Sequence, residues 1–320
     1  MTREEALVQW QNYHQTLFES YQLKFWEELT EKKQQLEDGI HDGIKRLKEK
    51  IVVAGKQDIV HLQFSLLRLD LISRKYTILL GAYDVEWYMD DAPVEVTFQI
   101  DFLFESLNAL WDMALQESKK YIGKVNAYDV NHLVMEEILQ ANKLIAHAVR
   151  FILKEVEALE AFKEIPKAPY WVIRWGEYRD QSEIILQVDR YPKVEKDWLE
   201  AIDEIRYGED RLICSYWYEG NFSKGDVTHK LLHFIGFEAC QLKEINFEGA
   251  ALLGARFKAC QLEDCSFKGA LLKFADFRNT QFKNVDFTDA DVTGAIFLEE
   301  VVPYLHLSPD QLQLIEIERS

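Results

Sequence analysis

With 320 residues, 48% hydrophobic, 29% charged and only 6 prolines, the chain can bury a sizeable core; it fits one to three domains and excludes a disordered tail. Asp plus Glu (55) outnumber Lys plus Arg (37), a net charge of -18 that repels phosphate backbones, argues against direct nucleic-acid binding and suits a basic partner. No run approaches 18 apolar residues, and the opening MTREEALVQW lacks the basic and apolar regions of a signal peptide, so a cytoplasmic protein without membrane contact is expected.

In chain order, Leu7, Trp10, Tyr13, Leu17, Tyr21, Phe25, Leu29 and Leu36 recur at mostly three- and four-residue steps, which predicts an amphipathic helix over 2–37, continuing to about Ile51. Tyr76, Ile78 and Leu80, then Val94, Val96, Phe98 and Ile100, alternate and predict two strands flanking AYDVEWYMDDAP at 82–93. Within that connection Asp84, Glu86, Trp87, Tyr88, Asp90 and Asp91 could contact a basic partner, or the aromatics could pack and the carboxylates be solvated. A helix is expected over 103–120, and another from Asp129, as cap, to about Ala161, with Val134, Ile138, Ala141, Ile145, Val149, Ile152 and Val156 on one face. These helical stripes are expected to pack on one another rather than on a membrane.

Pro166 and Pro169 mark a boundary, after which YWVIRW, SEIILQV and RLICSYWY read as strands and 193–206 as a short helix. Stepping by five from Phe237 then meets thirteen large apolar residues without a miss, ending at Phe297, and the residue two before each is mostly small and apolar, as at Cys240, Ala250, Ala255 and Cys260. A period of five is neither 3.6 nor 2.0, so the chain must turn at every repeat. Four sides per coil place residues 20 apart above one another, with Phe247, Phe267 and Phe287 in one ladder and Phe237, Phe257, Phe277 and Phe297 in another. Finally Ser308, Pro309 and Asp310 resemble a helix start, and LQLIEI supplies apolar residues to cover the last coil.

These residues resemble the pentapeptide repeat family, with ADF at 275–277, VDF at 285–287 and ADV at 290–292 matching its unit closely. The resemblance implies a right-handed quadrilateral β-helix over about 235–299, a little over three coils and ~15 Å long. The expected fold is multidomain α+β: a mainly helical acidic domain with a small β-hairpin (1–165), a small mixed segment capping the solenoid (166–234), the β-helix (235–299) and a C-terminal cap (300–320). AYDVEWYMDDAP also resembles the leading domain of some bacterial pentapeptide repeat proteins encoded near toxin or injection-type systems.

The motifs GxSxG, HExxH, GxGxxG and GxxxxGK(S/T) are absent, so no catalytic residue and no cofactor are assigned. Cys240, Cys260 and Cys265 fall on the small inward position and Cys214 on an apolar run, which predicts buried thiols; His229 and His233 in HKLLH could be half a helical metal site, but no third ligand and hence no metal is assigned. The repeat departs from a polar exterior at Leu253, Leu271 and Phe274, and the glycines one coil either side of Phe274 leave its ring room to project. Such a patch is either a seam with a neighbouring domain or an anchor for a partner. The expected function is protein recognition, as an adaptor, chaperone or immunity-like partner of a bacterial toxin or secretion-type system. The alternatives are an enzyme site hidden in the first two thirds and, by resemblance to the gyrase-protecting members of the family, a DNA mimic. Mimicry is disfavoured because residues 235–297 carry nine acids and seven bases, a net of only -2.

Overall fold

The computed structural model describes residues 1–205 and 212–319; the end of the helix expected at 193–206 and the start of the strand expected at 211–218 lie outside the described residues. The chain divides into two compact units, residues 1–168 with 172–185, and residues 169–171 with 186–320.

The first unit opens on α1 (Arg3–Glu31), whose first turn is closed by a capping box between Thr2 and Glu5. The single helix expected over 2–51 is two, because the chain breaks at Lys32 before α2 (Lys33–Ala54), which ends on left-handed Gly55. The buried face of α1 runs Ala6, Trp10, His14, Phe18, Tyr21, Phe25 and Leu29, whereas Tyr13 and Leu17 of the expected stripe are exposed. The displacement has a physical cause: His14 enters the core by bonding its own helix, Nδ1 to the Trp10 carbonyl at 2.8 Å, which a polarity-based stripe passes over.

Strand β1 (Ile59–Leu66), a short helix α3 (Arg68–Leu71), β2 (Thr77–Tyr83) and β3 (Val94–Gln99) follow, then α4 (Glu105–Ser118), α5 (Ala127–Ile152), α6 (Glu160–Lys163), β4 (Lys167–Glu177) and β5 (Ser182–Asp189). Asn126, not Asp129, caps α5; Asp129 is the third residue of the helix and returns the bond to the cap's backbone N–H. The expected hairpin exists, but inside a five-stranded sheet of order β3-β2-β1-β4-β5, with β1 antiparallel to β2 and parallel to β4. Hence YWVIRW, expected beside the solenoid, pairs mostly with the N-terminal unit. One face of the sheet is apolar, with Phe64, Leu80 and Val96 in register and α2 packed against Leu80 and Phe98. The other carries His61, Gln63, Ser65 and Arg174. No helix among the described residues is long and apolar enough to cross a membrane.

The second unit is a β-solenoid. Its strands, β6 (Tyr216–Tyr218), β7 (Asn221–Asp226), β8 (Gly236–Glu238), β9 (Gln241–Asn246), β10 (Arg256–Lys258), β11 (Gln261–Glu263) and β12 (Gln281–Lys283), pair in parallel with a register of twenty residues, Tyr216 on Gly236 on Arg256 and Gln241 on Gln261 on Gln281. The expected ladders form: Phe267 lies between Phe247 (4.7 Å, 0°) and Phe287 (5.2 Å, 5°), and Phe257 between Phe237 and Phe277 (4.8 Å, 5°). Neighbouring ladders meet edge to face, as Phe257 meets Phe267 at 89°. Cys240, Cys260 and Cys265 are free and buried among these rings, and burial pushes the Cys265 thiol up to about 11.

The coils begin before Phe237. Leu232, Val227, Phe222, Trp217 and Leu212 continue the five-residue step backwards and are all buried. The partner position hides them, since Lys230, Gly225, Gly220 and Ser215 stand where a small apolar residue is expected. Two of those glycines are filled from elsewhere: the ring of Phe222 lies across Gly220, and Trp198 of α7 (Glu195–Ile205) lies across Gly225. Trp198 is fully buried and meets Trp217 edge to face at 5.1 Å, so α7 closes the first coil. At the other end β13 (Ile296–Leu298) pairs with β14 (Glu316–Glu318), and α8 (Pro309–Leu314) between them starts from a Ser308 capping box. Gln311 donates from Nε2 to the carbonyls of Phe287 (2.8 Å) and Ala290 (2.9 Å). Replacing it (Gln311→Met) leaves the Ala290 carbonyl buried without its donor and the Phe287 carbonyl with only the Ala290 N–H, and is expected to cost about 1–3 kcal/mol, read as a lower denaturant midpoint for the solenoid.

Candidate interaction face

Each side of a coil turns its central residue and the one two before it inward, leaving three side chains outside. On the side centred on Leu242, Leu262 and Phe282 those outer positions are Gln241, Gln261 and Gln281, flanked by Lys243, Glu263 and Lys283. Lys243 and Lys283 both pair with Glu263. The side centred on Phe257 is charged as well, with Glu238 held by Lys258 (3.0 Å) and Arg190 (3.3 Å), and Asp276 by Arg278 (2.6 Å). The side centred on Phe267 carries Asn246, Ser266 and Asp286.

The fourth side, centred on Leu232, Leu252 and Leu272, departs from this. Its outer positions hold Leu231, Ala251, Leu271 and Asp291 in one column, joined by parallel bridges, and Phe234, Gly254, Phe274 and Gly294 in another. Leu231 (46%), Leu271 (49%) and Phe274 (42%) are exposed, and Leu253 is half-buried between them. The Phe/Gly column sits at the turn, where every backbone φ is near +60°. That conformation strains a side chain, so the glycines are the unstrained members and the two phenylalanines are held there by their neighbours.

Phe274 does not project as expected. Its ring lies down over Gly294, where an added Cβ would stand 2.6 Å from Cδ1, and Phe234 covers Gly254 in the same way. The missing Cβ lets each ring lie flat against the next coil. The result is an aromatic strip spanning two coils per ring; at its end the Gly294 N–H donates to the carbonyl of exposed Leu314 (2.7 Å). Lys273 and Asp291 pair at 3.3 Å beside it. Burial pushes the Asp291 carboxyl up, but the Thr293 hydroxyl and N–H together with Lys273 outweigh it and hold the group low. Leu231 and Phe234, forty residues before Leu271 and Phe274, escape a repeat reading that starts at Phe237.

The acidic and aromatic candidates are in the first unit and are mostly occupied. Asp90 accepts from Lys56 Nζ (2.6 Å) and from the backbone N–H groups of Asp84 and Ala92 (both 2.9 Å). Burial raises its carboxyl pKa, and these donors more than reverse that. Trp87 stacks on His61 (4.9 Å) and Tyr88 (4.7 Å) beneath the Arg174 guanidinium, so both aromatics turn toward the sheet. Asp84 accepts from the Glu86 N–H, while Asp91 stays exposed. The histidines of HKLLH do not share a helical face: His229 turns over Gly249 at φ 56° and His233 lies on the next side of the coil. Among the described residues no group of three or more His, Cys, Asp or Glu could hold a metal ion. A cleft of about 330 Å³ in the first unit is lined by Asn142, Lys143, Trp175, Glu177 and Glu183. Its polar groups are largely spent on structure, Asn142 accepting from Trp175 Nε1 (2.8 Å), Glu177 pairing with Arg68 and Glu183 with Arg150.

Residues 230–306 match the family described as Pentapeptide repeat region. Among solved structures the chain is similar to HetL of Nostoc sp. strain PCC 7120, a pentapeptide repeat protein involved in heterocyst differentiation regulation, at 22% identity and a TM-score of 0.25, covering 26% of this chain and 38% of that one. It is also similar to a second pentapeptide repeat protein from Nostoc PCC 7120 (12% identity, TM-score 0.30, 40% of this chain and 99% of that one). A third is from the Arabidopsis thaliana thylakoid lumen (28% identity, TM-score 0.19, 28% of this chain and 69% of that one). The chain thus spans well under half the length of the first of these. No curated protein matched the sequence. Twenty-residue parallel register, stacked phenylalanine ladders and the family match together identify the solenoid of the second unit as a pentapeptide repeat region.

Proposed function

We propose that this protein is a non-catalytic recognition module whose solenoid docks a protein partner on its one apolar face. The carrying observation is the contrast among the four sides: three present polar or charged outer residues, and the fourth exposes Leu231 and Leu271 in one column with Phe274 beside them. Aromatic and aliphatic anchors on a rigid surface are what interface hot spots are made of, and the net charge of -18 speeds encounter with a basic target. The role that fits is an adaptor, chaperone or immunity-like partner of another protein, in a bacterial toxin or secretion-type system.

Affinity purification from cell extract, comparing the unaltered protein with the pair Leu271→Asp and Phe274→Asp, tests this. The expected result is one dominant partner, bound about 30-fold more weakly by the double variant, a loss typical of a single hot spot. Melting should be unchanged, because both side chains are over two-fifths exposed. Undiminished capture by the variant would assign the partner to another surface, and a large fall in melting temperature would make the strip internal packing instead.

A further inference from the structure

Strand β3 is an outermost strand of the first unit's sheet, so half of its backbone groups have no strand to meet. The register fixes which half. Ile100 N–H donates to the Tyr76 carbonyl, so Val94, Val96 and Phe98 bond inward to β2, while the N–H and C=O groups of Glu95, Thr97 and Gln99 face outward. A row of such groups is a template for another strand, and folded proteins commonly block it.

Here the blocking groups come from α2. Arg46 Nη1 donates to the Thr97 carbonyl (3.1 Å) and Lys50 Nζ to the Glu95 carbonyl (3.0 Å); just before the strand, Lys56 Nζ reaches the Ala92 carbonyl (3.1 Å). The spacing on the two elements matches. Four residues of helix rise about 6 Å and two residues of strand about 6.8 Å, so basic side chains at i and i+4 meet every second carbonyl of a strand running the other way. Gly39 and Gly43 set the helix low on the strand: a Cβ at Gly43 would stand 3.2 Å from Phe98 Cδ1. The cations cover carbonyls only. The outward N–H groups of Glu95, Thr97 and Gln99 meet no acceptor among the described residues, and a groove of about 860 Å³ lies between α2 and the strand, lined by Glu49, Lys50, Val53 and Pro93.

The order of residues in β3 suits pairing with itself. With a two-fold axis at Thr97, a second copy in antiparallel register sets Thr97 opposite its own counterpart and Glu95 opposite Gln99. Each such pair exchanges two N–H···O=C bonds, and no like charges within the strand meet. On the apolar face Val96 then lies opposite Phe98, a β-branched and aromatic pair of the kind that stabilises sheets. We propose that the outer edge of β3 is a pairing surface for the β3 of a second copy, and that Arg46 and Lys50 keep it closed. They do so by occupying its acceptors and by bringing like charges together when two edges approach. This surface is independent of the solenoid face.

The test is self-association of the full chain by sedimentation velocity, with hydrogen exchange of the Glu95, Thr97 and Gln99 N–H groups, in the unaltered protein and in the pair Arg46→Ala and Lys50→Ala. Alanine keeps α2 helical, and neither side chain is buried, so melting in dilute solution should be unchanged. The expected result is association of the double variant at concentrations at least about tenfold lower than for the unaltered protein, with slowed exchange at all three N–H groups. Adding Thr97→Pro, whose missing N–H faces outward, or Thr97→Lys, which sets like charges across the axis, should return the variant to the unaltered behaviour. Equal association of the two proteins would overturn the proposal, as would association that leaves those N–H groups unprotected or survives both Thr97 substitutions.

Discussion

Replacing Phe267 by aspartate is expected to abolish the cooperative unfolding of the solenoid. The ring is fully buried, parallel to Phe247 and Phe287 and edge-on to Phe257 and Phe277. Removing such a side chain alone costs about 3–5 kcal/mol, and the carboxylate adds a charge with no partner in a core of rings and small apolar residues. Because each coil contacts only the next, the defect divides the stack into two short pieces that cannot propagate order across it. Loss of the solenoid's transition in calorimetry, with the first unit's retained, is the predicted outcome; a melt equal to that of the unaltered protein would refute the inward register.

The second large effect is expected at the latch of residues 84–93. Lys56 and Asp90 form an ion pair whose side chains are 10% and 2% exposed. Lys56→Met leaves Asp90 buried with two backbone N–H donors but no counter-charge, which costs about 3–5 kcal/mol in comparable buried pairs. The folded carboxyl titrates below its ordinary value, so the stabilisation is present above the unfolded pKa near 4 and disappears as pH falls through the folded one. The variant should therefore be less stable at neutral pH and should lose less on acidification, measured as denaturant midpoints between pH 7 and pH 3. Equal midpoints for both proteins across that range would show the pair to be neutral.

The parts of this fold that were legible in sequence are those where one local period controls burial. The five-residue step from Phe237 to Phe297 gave coil, ladder and inward positions because both marked residues repeat without interruption. Where the step is kept but its small partner is replaced, as at Gly225, the first coil is not legible, since Trp198, more than twenty residues earlier, supplies the missing volume. Strand β1 alternates Leu62, Phe64 and Leu66 with His61, Gln63 and Ser65, but its partner β4 comes a hundred residues later, and no local rule joins them. Leu253, Leu271 and Phe274 stood out as apolar residues in an otherwise polar exterior. Leu231, Phe234 and the packing of Trp87 on His61 need three dimensions, because each depends on a residue at least twenty positions away.

The alternation of Phe234, Gly254, Phe274 and Gly294 restricts how this molecule can change length. A ring that reclines on the next coil needs a glycine there, so the surface repeats every two coils while the core repeats every one. Gain or loss of a single twenty-residue coil within this stretch preserves every internal ladder yet sets ring over ring or glycine over glycine outside. Indels that keep the strip intact therefore come in blocks of forty residues, a rule that relatives of different length can be checked against.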